Sequence, residues 1–312
     1  MKPTNVEVNP NLTKLKEIVD NHSVINYYSR FLKKKLPKKQ LISVIIPVMG
    51  RLTFLIPVIT QLKEAIANSG KKINITIIEH SNKNSYQEPT KKLGIDYHWI
   101  QKSEDEPFNK SLCHNVGAIL NKNSDYFLFH DLDCLVLNDF FTNLIEMMNV
   151  ESEYEFIQTF KDRRLLYMSK ELTNHIINPF NPIAEKKETF IEGKCCAPGG
   201  SILISNKLFN KIGGYDPELF YGYSPEDQFF WNKAELFCEP KSGINDLYHM
   251  HHETLEETNV NILKMLNYVN KFDELKEEEK LKLADYIIVN DESRPLIPQV
   301  LELHKQFSSI AQ

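Results

Sequence analysis

Leu41 to Val48 reads LISVIIPV, an unbroken apolar run that ends at a proline. A strand that is apolar on both faces is buried on both faces, which is the condition of a parallel strand inside an α/β sheet. The pattern then repeats. A helical stretch covers Leu52 to Ala67, a second strand Ile73 to Glu79 (INITIIE), and a short third strand Tyr97 to Gln101. Asn109 to Leu120 is helical, with Leu112, Val116, Ile119 and Leu120 on one face, and Asp125 to Asp131 (DYFLFHD) is a fourth strand. Strands alternating with helices predict an α/β fold: a mostly parallel central sheet with helices on both faces. Ligands of such sheets sit at the carboxyl ends of the strands.

The alternation weakens after about residue 150. Lys161 to Lys194 reads as irregular, Pro198 to Ser205 (PGGSILIS) as a further strand, and residues 226–238 as a helix. Three regions follow from this. Residues 1–40 are a basic helical extension, 41–257 the α/β domain, and 258–312 a charged, helical C-terminal extension. Lys33, Lys34, Lys35, Lys38 and Lys39 close the first region. We read it as a helix packed on the domain with a solvated basic end. The alternative is peripheral contact with an anionic membrane face.

With a net charge of -5, the chain is a poor candidate for a nucleic-acid binder. The polar N-terminus carries no secretory signal, and no stretch of about 18 apolar residues offers a membrane span. Five cysteines without CxxC spacing argue against a disulfide framework and against a zinc ribbon, so the expected compartment is the reducing cytoplasm.

Four segments carry chemistry. Asp131-Leu132-Asp133 leaves the fourth strand at its carboxyl end, where two carboxylates can face one hard cation and, through it, phosphate oxygens. Tyr221-Gly222-Tyr223-Ser224-Pro225-Glu226-Asp227 follows Gly213-Gly214-Tyr215. Its aromatic rings offer flat faces to a sugar, and its acidic pair opens a helix, where carboxylates also serve as ordinary caps. Tyr248-His249-Met250-His251-His252 packs three of the chain's ten histidines into four residues. Imidazole is a good ligand for Mn²⁺-like ions, and Asp133 is the natural carboxylate partner. Last, Arg51 ends the first strand and Phe108 precedes a helix. Arg51 can donate to phosphate or to a base carbonyl, or can simply cap a turn.

Taken in order, these segments resemble the β-1,4-galactosyltransferase-like glycosyltransferases of GT-A fold, with related bacterial galactosyl- and N-acetylgalactosaminyltransferases. The carrying motifs are Pro47 to Arg51, Phe108-Asn109-Lys110 with Asn115-Val116-Gly117, and Asp131-Leu132-Asp133. Gly199-Gly200-Ser201 through Lys207, Gly213-Gly214-Tyr215, Glu226-Asp227, and His249 with His252 complete the set. Tyr221 and Tyr223 replace the tryptophans of the family's W-G-W motif, and Ser224-Pro225 replaces its second glycine pair.

The resemblance implies an inverting transfer from a UDP-sugar to a hydroxyl of a glycan or glycolipid, as in bacterial surface glycan synthesis at the inner membrane face. The alternatives are a retaining GT-A transferase and a non-catalytic nucleotide-sugar-binding module. It further implies Asp227 as general base, with Glu226 holding a sugar. Asp133, His249 and His252 would be the ligands of Mn²⁺ or Mg²⁺. Arg51 and Phe108 would hold the uracil end, Asp131 the ribose or donor sugar, and Tyr223 a sugar face. Gly200 would let the sugar approach the backbone.

Overall fold

The computed structural model describes residues 40–150, 155–177, 191–192 and 198–253, except 219, 221, 223 and 236. The two terminal extensions expected from the sequence, Tyr221, Tyr223, Cys195 and Cys196 lie outside the described residues.

The expected strands are present: β1 (Gln40–Val48), β2 (Ile73–Ser81), β3 (Asp96–Gln101), β4 (Ser124–His130) and β8 (Ser201–Ser205). Between and beside them run β5 (Cys134–Leu135), β6 (Phe156–Tyr167), β7 (Ile191–Glu192) and β9 (Lys241–His249). The helices are α1 (Leu55–Ser69), α2 (Gln87–Leu93), α3 (Lys110–Leu120), α4 (Phe140–Val150), α5 (Lys170–Ile177), α6 (Asn206–Lys211) and α7 (Glu226–Glu235). A single sheet takes the order β3-β2-β1-β4-β8-β6-β9-β5, with β7 paired to β6.

β1 is parallel to β2 and β4, and β2 to β3. β8 runs antiparallel to both β4 and β6, and β9 is parallel to β6. Six strands therefore point one way, so the sheet is mostly parallel, as expected. Its two faces are covered differently. Ile42, Val44, Ile46 and Val48 alternate along β1 and join Leu55, Val58, Ile59 and Leu62 of α1 in one buried cluster. Ile45 points the other way, and α3 lies so close there that a side chain on Gly117 would overlap Ile45 and Ile78. Helices thus cover both faces, and Gly117 is required by the close approach of helix to strand.

The expected irregular stretch from Lys161 is corrected. Residues 156–167 form β6 and 170–177 form α5. The run KDRR hides the strand because it carries a bulge. The register against β9 slips between Phe160 and Leu165, with Asp162 and Arg163 both at φ 56°. α7 ends at Glu235, short of the expected 238. Cys113, Cys134 and Cys238 are free thiols. Among the described residues no helix is long and apolar enough to cross a membrane.

Candidate active site

The metal-ligating group is built by strand pairing. β5 pairs antiparallel with β9, setting Cys134 opposite His249. The next residue continues the register, since the Met250 N–H donates to the Asp133 carbonyl at 2.8 Å. Asp133 therefore sits beside the start of the histidine segment. The turn that presents it is fixed from behind by His130, a buried imidazole whose nitrogens lie 3.1 Å from Ser201 Oγ and 3.1 Å from the Cys134 carbonyl. Burial holds the His130 pKa down at about 4, which keeps this ring neutral.

Asp133, His249 and His252 each turn one ligand atom towards a common point, all within 4.8 Å of one another. His252 Nε2 lies 3.2 Å from Asp133 Oδ2 and His249 Nε2 lies 3.7 Å from Asp133 Oδ1. Burial opposes ionisation of Asp133, but the His252 hydrogen bond, His249 and Arg51 outweigh it and hold its carboxyl far below the usual range. Burial lowers the His249 pKa despite Asp133, favouring the neutral ring that a metal needs. Among the described residues the buried His249 Nδ1 has no hydrogen-bond partner. His251 is exposed and outside the group, with its backbone N–H bonded to Thr173 Oγ1. One carboxylate with two imidazoles is a donor set suited to Mn²⁺ and related divalent ions. Arg51 completes this corner: its Nη1 donates to Asp133 Oδ2 at 2.6 Å.

A second group lies on the other side of the Asp131-Leu132-Asp133 turn. Lys110, at the first turn of α3, places Nζ 2.9 Å from Asp131 Oδ1, 2.8 Å from Asp227 Oδ2 and 3.7 Å from Glu226 Oε1. Burial alone would lower the Lys110 pKa, yet the three carboxylates raise it well above the ordinary value, so the ammonium is permanent. The sequence singled out Lys110 as part of a motif without a role. Only the fold brings three carboxylates from two distant segments onto it.

α3 also clamps the segment that leads to the acidic pair. Its cap Asn109 accepts from Leu112 N–H and donates through Nδ2 to the Pro217 carbonyl at 2.8 Å. Asn115 grips Tyr215 twice, Nδ2 to carbonyl and N–H to Oδ1, each at 2.9 Å. The Gly222 N–H donates to the Phe108 carbonyl at 2.6 Å. Tyr215, stacked face to face on Phe230 at 3.8 Å, turns its hydroxyl towards Asp227 Oδ1 at 3.5 Å. These bonds explain why the Asn-Val-Gly and Gly-Gly-Tyr motifs occur together: one holds the other.

Burial, reinforced by Asp227, pushes the Glu226 pKa up to about 7. An acid whose pKa rises on folding stabilises the fold below its unfolded value and loses that contribution as pH climbs to the folded value. Hence the Glu226→Gln variant of the metal-free protein should gain on the wild type between pH 4.5 and 7, by on the order of 3 kcal/mol. Urea titrations across that range read the difference, and a constant gap would contradict the assignment.

The remaining expected residues are dispersed. Phe108 is half-buried beside His80, with ring centres 6.2 Å apart. Gly200 (φ +92°) turns its open side to Leu165, Leu247 and Cys134, while its carbonyl accepts from the Asp131 N–H. The neighbouring Gly199 is the one that abuts Asp227, where a Cβ would overlap Oδ2.

Residues 43–259 match the family model described as "Glycosyltransferase like family 2". β-1,4-Galactosyltransferase 5 of Danio rerio is 25% identical over 151 residues, 46% of this chain. The match spans 31%, about a third, of that relative's length. The catalytic domain of Drosophila β1,4-galactosyltransferase 7, solved with xylobiose, superimposes with a TM-score of 0.41 at 13% identity, covering 83% of each chain. Residues 1–349 of TarS from S. aureus, solved with UDP-GlcNAc, superimpose with a TM-score of 0.47 at 14% identity, covering 77% of this chain and 69% of that one. The family model spans more than two thirds of the sequence and both groups of site residues, and the chain accordingly belongs to glycosyltransferase-like family 2.

Proposed function

We propose that the protein is an inverting, metal-dependent transferase that moves galactose or N-acetylgalactosamine from a UDP-sugar to a hydroxyl of a glycan or glycolipid. One observation carries this reading: the carboxylates of buried Glu226 and half-buried Asp227 share Lys110 with the very turn that presents Asp133. A base for the acceptor and a site for the leaving diphosphate are thereby joined by one cation and one turn. The galactosyltransferase name of the Danio rerio relative supports galactose as the sugar.

Asp133, His249 and His252 would hold Mn²⁺ or Mg²⁺, the imidazoles favouring Mn²⁺. When bound, the ion supplies Lewis-acid stabilisation of the departing diphosphate. Asp227 takes the proton from the acceptor hydroxyl as that oxygen attacks the anomeric carbon from the face opposite UDP. Lys110 Nζ, 2.8 Å from Asp227 Oδ2, fixes the direction of that carboxylate. Glu226 carries a proton for part of the time near neutrality, so it can donate to a sugar oxygen as well as accept. Asp131 serves the ribose or donor sugar, Arg51 the diphosphate and uracil end, Phe108 the uracil face, and Tyr223 a sugar face. Surface glycan synthesis in a bacterium fits an acceptor of this class.

Gly199 leaves the room that the Asp227 carboxylate itself occupies, since a Cβ there would overlap Asp227 Oδ2. Gly199→Ala should lower kcat by about 100-fold, since displacing a reacting group by an ångström has effects of that size. UDP affinity should change less than about twofold, a split that calorimetry and initial rates resolve together.

The decisive assay incubates the protein with UDP-galactose or UDP-N-acetylgalactosamine, Mn²⁺ and an oligosaccharide acceptor, and reads the product anomer by NMR. A β-linked product supports the reading. An α-linked product would overturn the inverting assignment, and UDP binding without transfer to any acceptor would overturn the catalytic one.

A further inference from the structure

Arg51 reaches Asp133 from an unusual backbone. Gly50 and Arg51 are consecutive residues in the left-handed region, at φ 64° and 52°. For Gly50 this conformation is unstrained. For Arg51, with a Cβ, it is unfavourable and persists only where its surroundings enforce it. The 3₁₀ turn that follows supplies one restraint, the Phe54 N–H donating to the Arg51 carbonyl at 3.0 Å. The other comes from across the sheet. The hydroxyl of Tyr86, 36 residues on, donates to the Gly50 carbonyl.

Tyr86 is itself fixed. Its ring belongs to the main buried cluster and is 1% exposed. Its backbone N–H donates to Glu79 Oε2 at 3.1 Å, and the Ser85 N–H donates to Glu79 Oε1 at 3.0 Å. Glu79, buried at the end of β2, also accepts from the hydroxyls of Ser81 and Tyr97. Such a carboxylate, with four donors on two oxygens, is a rigid post. Burial, with Glu79 nearby, pushes the Tyr86 pKa far up, so the phenol keeps the proton it donates. The chain of contacts runs from Glu79 through the Tyr86 loop and hydroxyl to the Gly50 carbonyl, and so to the guanidinium on Asp133. Glu79, Tyr86 and Gly50 lie outside the metal and acid-base groups described above.

We infer that Tyr86 is a positioning residue for the donor end of the site, its hydroxyl holding the Gly50–Arg51 turn in the conformation that delivers Arg51 to the diphosphate and metal corner. The inference rests on the donor-site reading given above.

A double-mutant cycle on UDP binding tests it, with Tyr86→Phe, Arg51→Ala and the pair measured by calorimetry in saturating Mn²⁺. Phenylalanine keeps the ring in the core and deletes only the hydroxyl. If Tyr86 acts through Arg51, Tyr86→Phe weakens UDP binding roughly tenfold in the wild-type background and less than about twofold in the Arg51→Ala background. A merely structural hydroxyl would lower thermal stability equally in both backgrounds without touching this difference. Equal weakening in the two backgrounds, or no weakening in the wild type, overturns this inference alone. Failure of the wild-type protein to bind UDP with Mn²⁺ overturns the donor-site reading along with it.

Discussion

Asp227→Asn should lower the rate of sugar transfer by about 10³-fold while leaving the folded protein and its affinity for UDP and Mn²⁺ within about twofold of wild type. The substitution keeps the shape of the side chain and a group for Lys110 to reach, and removes only the capacity to take a proton. Asp227 is the better base of the acidic pair for reasons of geometry. It accepts from Lys110 at 2.8 Å and stands 3.5 Å from the Tyr215 hydroxyl, whereas Glu226 is held by Ser224 and lies farther from Lys110. Glu226→Gln should therefore be milder, about tenfold in kcat, because an amide preserves both donation and acceptance towards a sugar oxygen. Single-turnover rates with preloaded donor separate the two variants. Equal losses would mean that the pair acts as one unit and that no single base has been identified.

The second large effect concerns the ion. Chelation with EDTA should abolish transfer, and Mn²⁺ should restore it. His252→Ala should weaken Mn²⁺ binding by more than about 100-fold, since the described residues offer the ion three ligands and this removes one. The reason lies in the charge that Asp133 carries. In the metal-free protein its carboxylate is satisfied by Arg51 and the two histidines, all of which hold it ionised. Removing His252 takes away both a ligand and the hydrogen bond that fixes the carboxylate. Leaving Asp133 with Arg51 as its nearest cation should make Arg51 a stronger competitor for the metal position. Magnetic-resonance titration of free Mn²⁺ reads the affinity directly. Full activity in EDTA would refute metal dependence.

Legibility in the sequence followed the physics of each element. β1, β2 and β4 were readable because they are largely buried and rich in apolar residues, β1 in a near-continuous run. β9 was not, because its inward positions include Gly243 and Asn245. Gly243 lies against the Thr159 backbone with no room for a side chain. Asn245 uses its amide to satisfy the Phe140 and Thr159 carbonyls. A strand specified by space and polar satisfaction carries no hydrophobic period to detect. β6 escaped notice for a related reason, its bulge at Asp162 and Arg163 breaking the alternation.

The metal group was legible because its spacing is local: an acidic triplet after a strand and two histidines three residues apart. The Lys110 cluster was not. Its carboxylates come from residues 131, 226 and 227, and only the clamp of Asn109 and Asn115 on the 215–217 segment brings them together. Gly199 likewise looked equivalent to Gly200 in sequence. Their surroundings differ: a Cβ on Gly199 would meet Asp227, whereas one on Gly200 would meet Leu165, Leu247 and Cys134.

The central claim is that residues distant in the chain converge on one divalent ion beside the Lys110-paired base Asp227. Crystals soaked in Mn²⁺ and UDP, with diffraction recorded at the manganese edge, test it most directly. The account predicts one strong anomalous peak in contact with the Asp133 carboxylate and the imidazoles of His249 and His252, with the UDP diphosphate against it and Asp227 facing the same cleft. A peak bound elsewhere, or UDP seated with no ion at these three side chains, would contradict it.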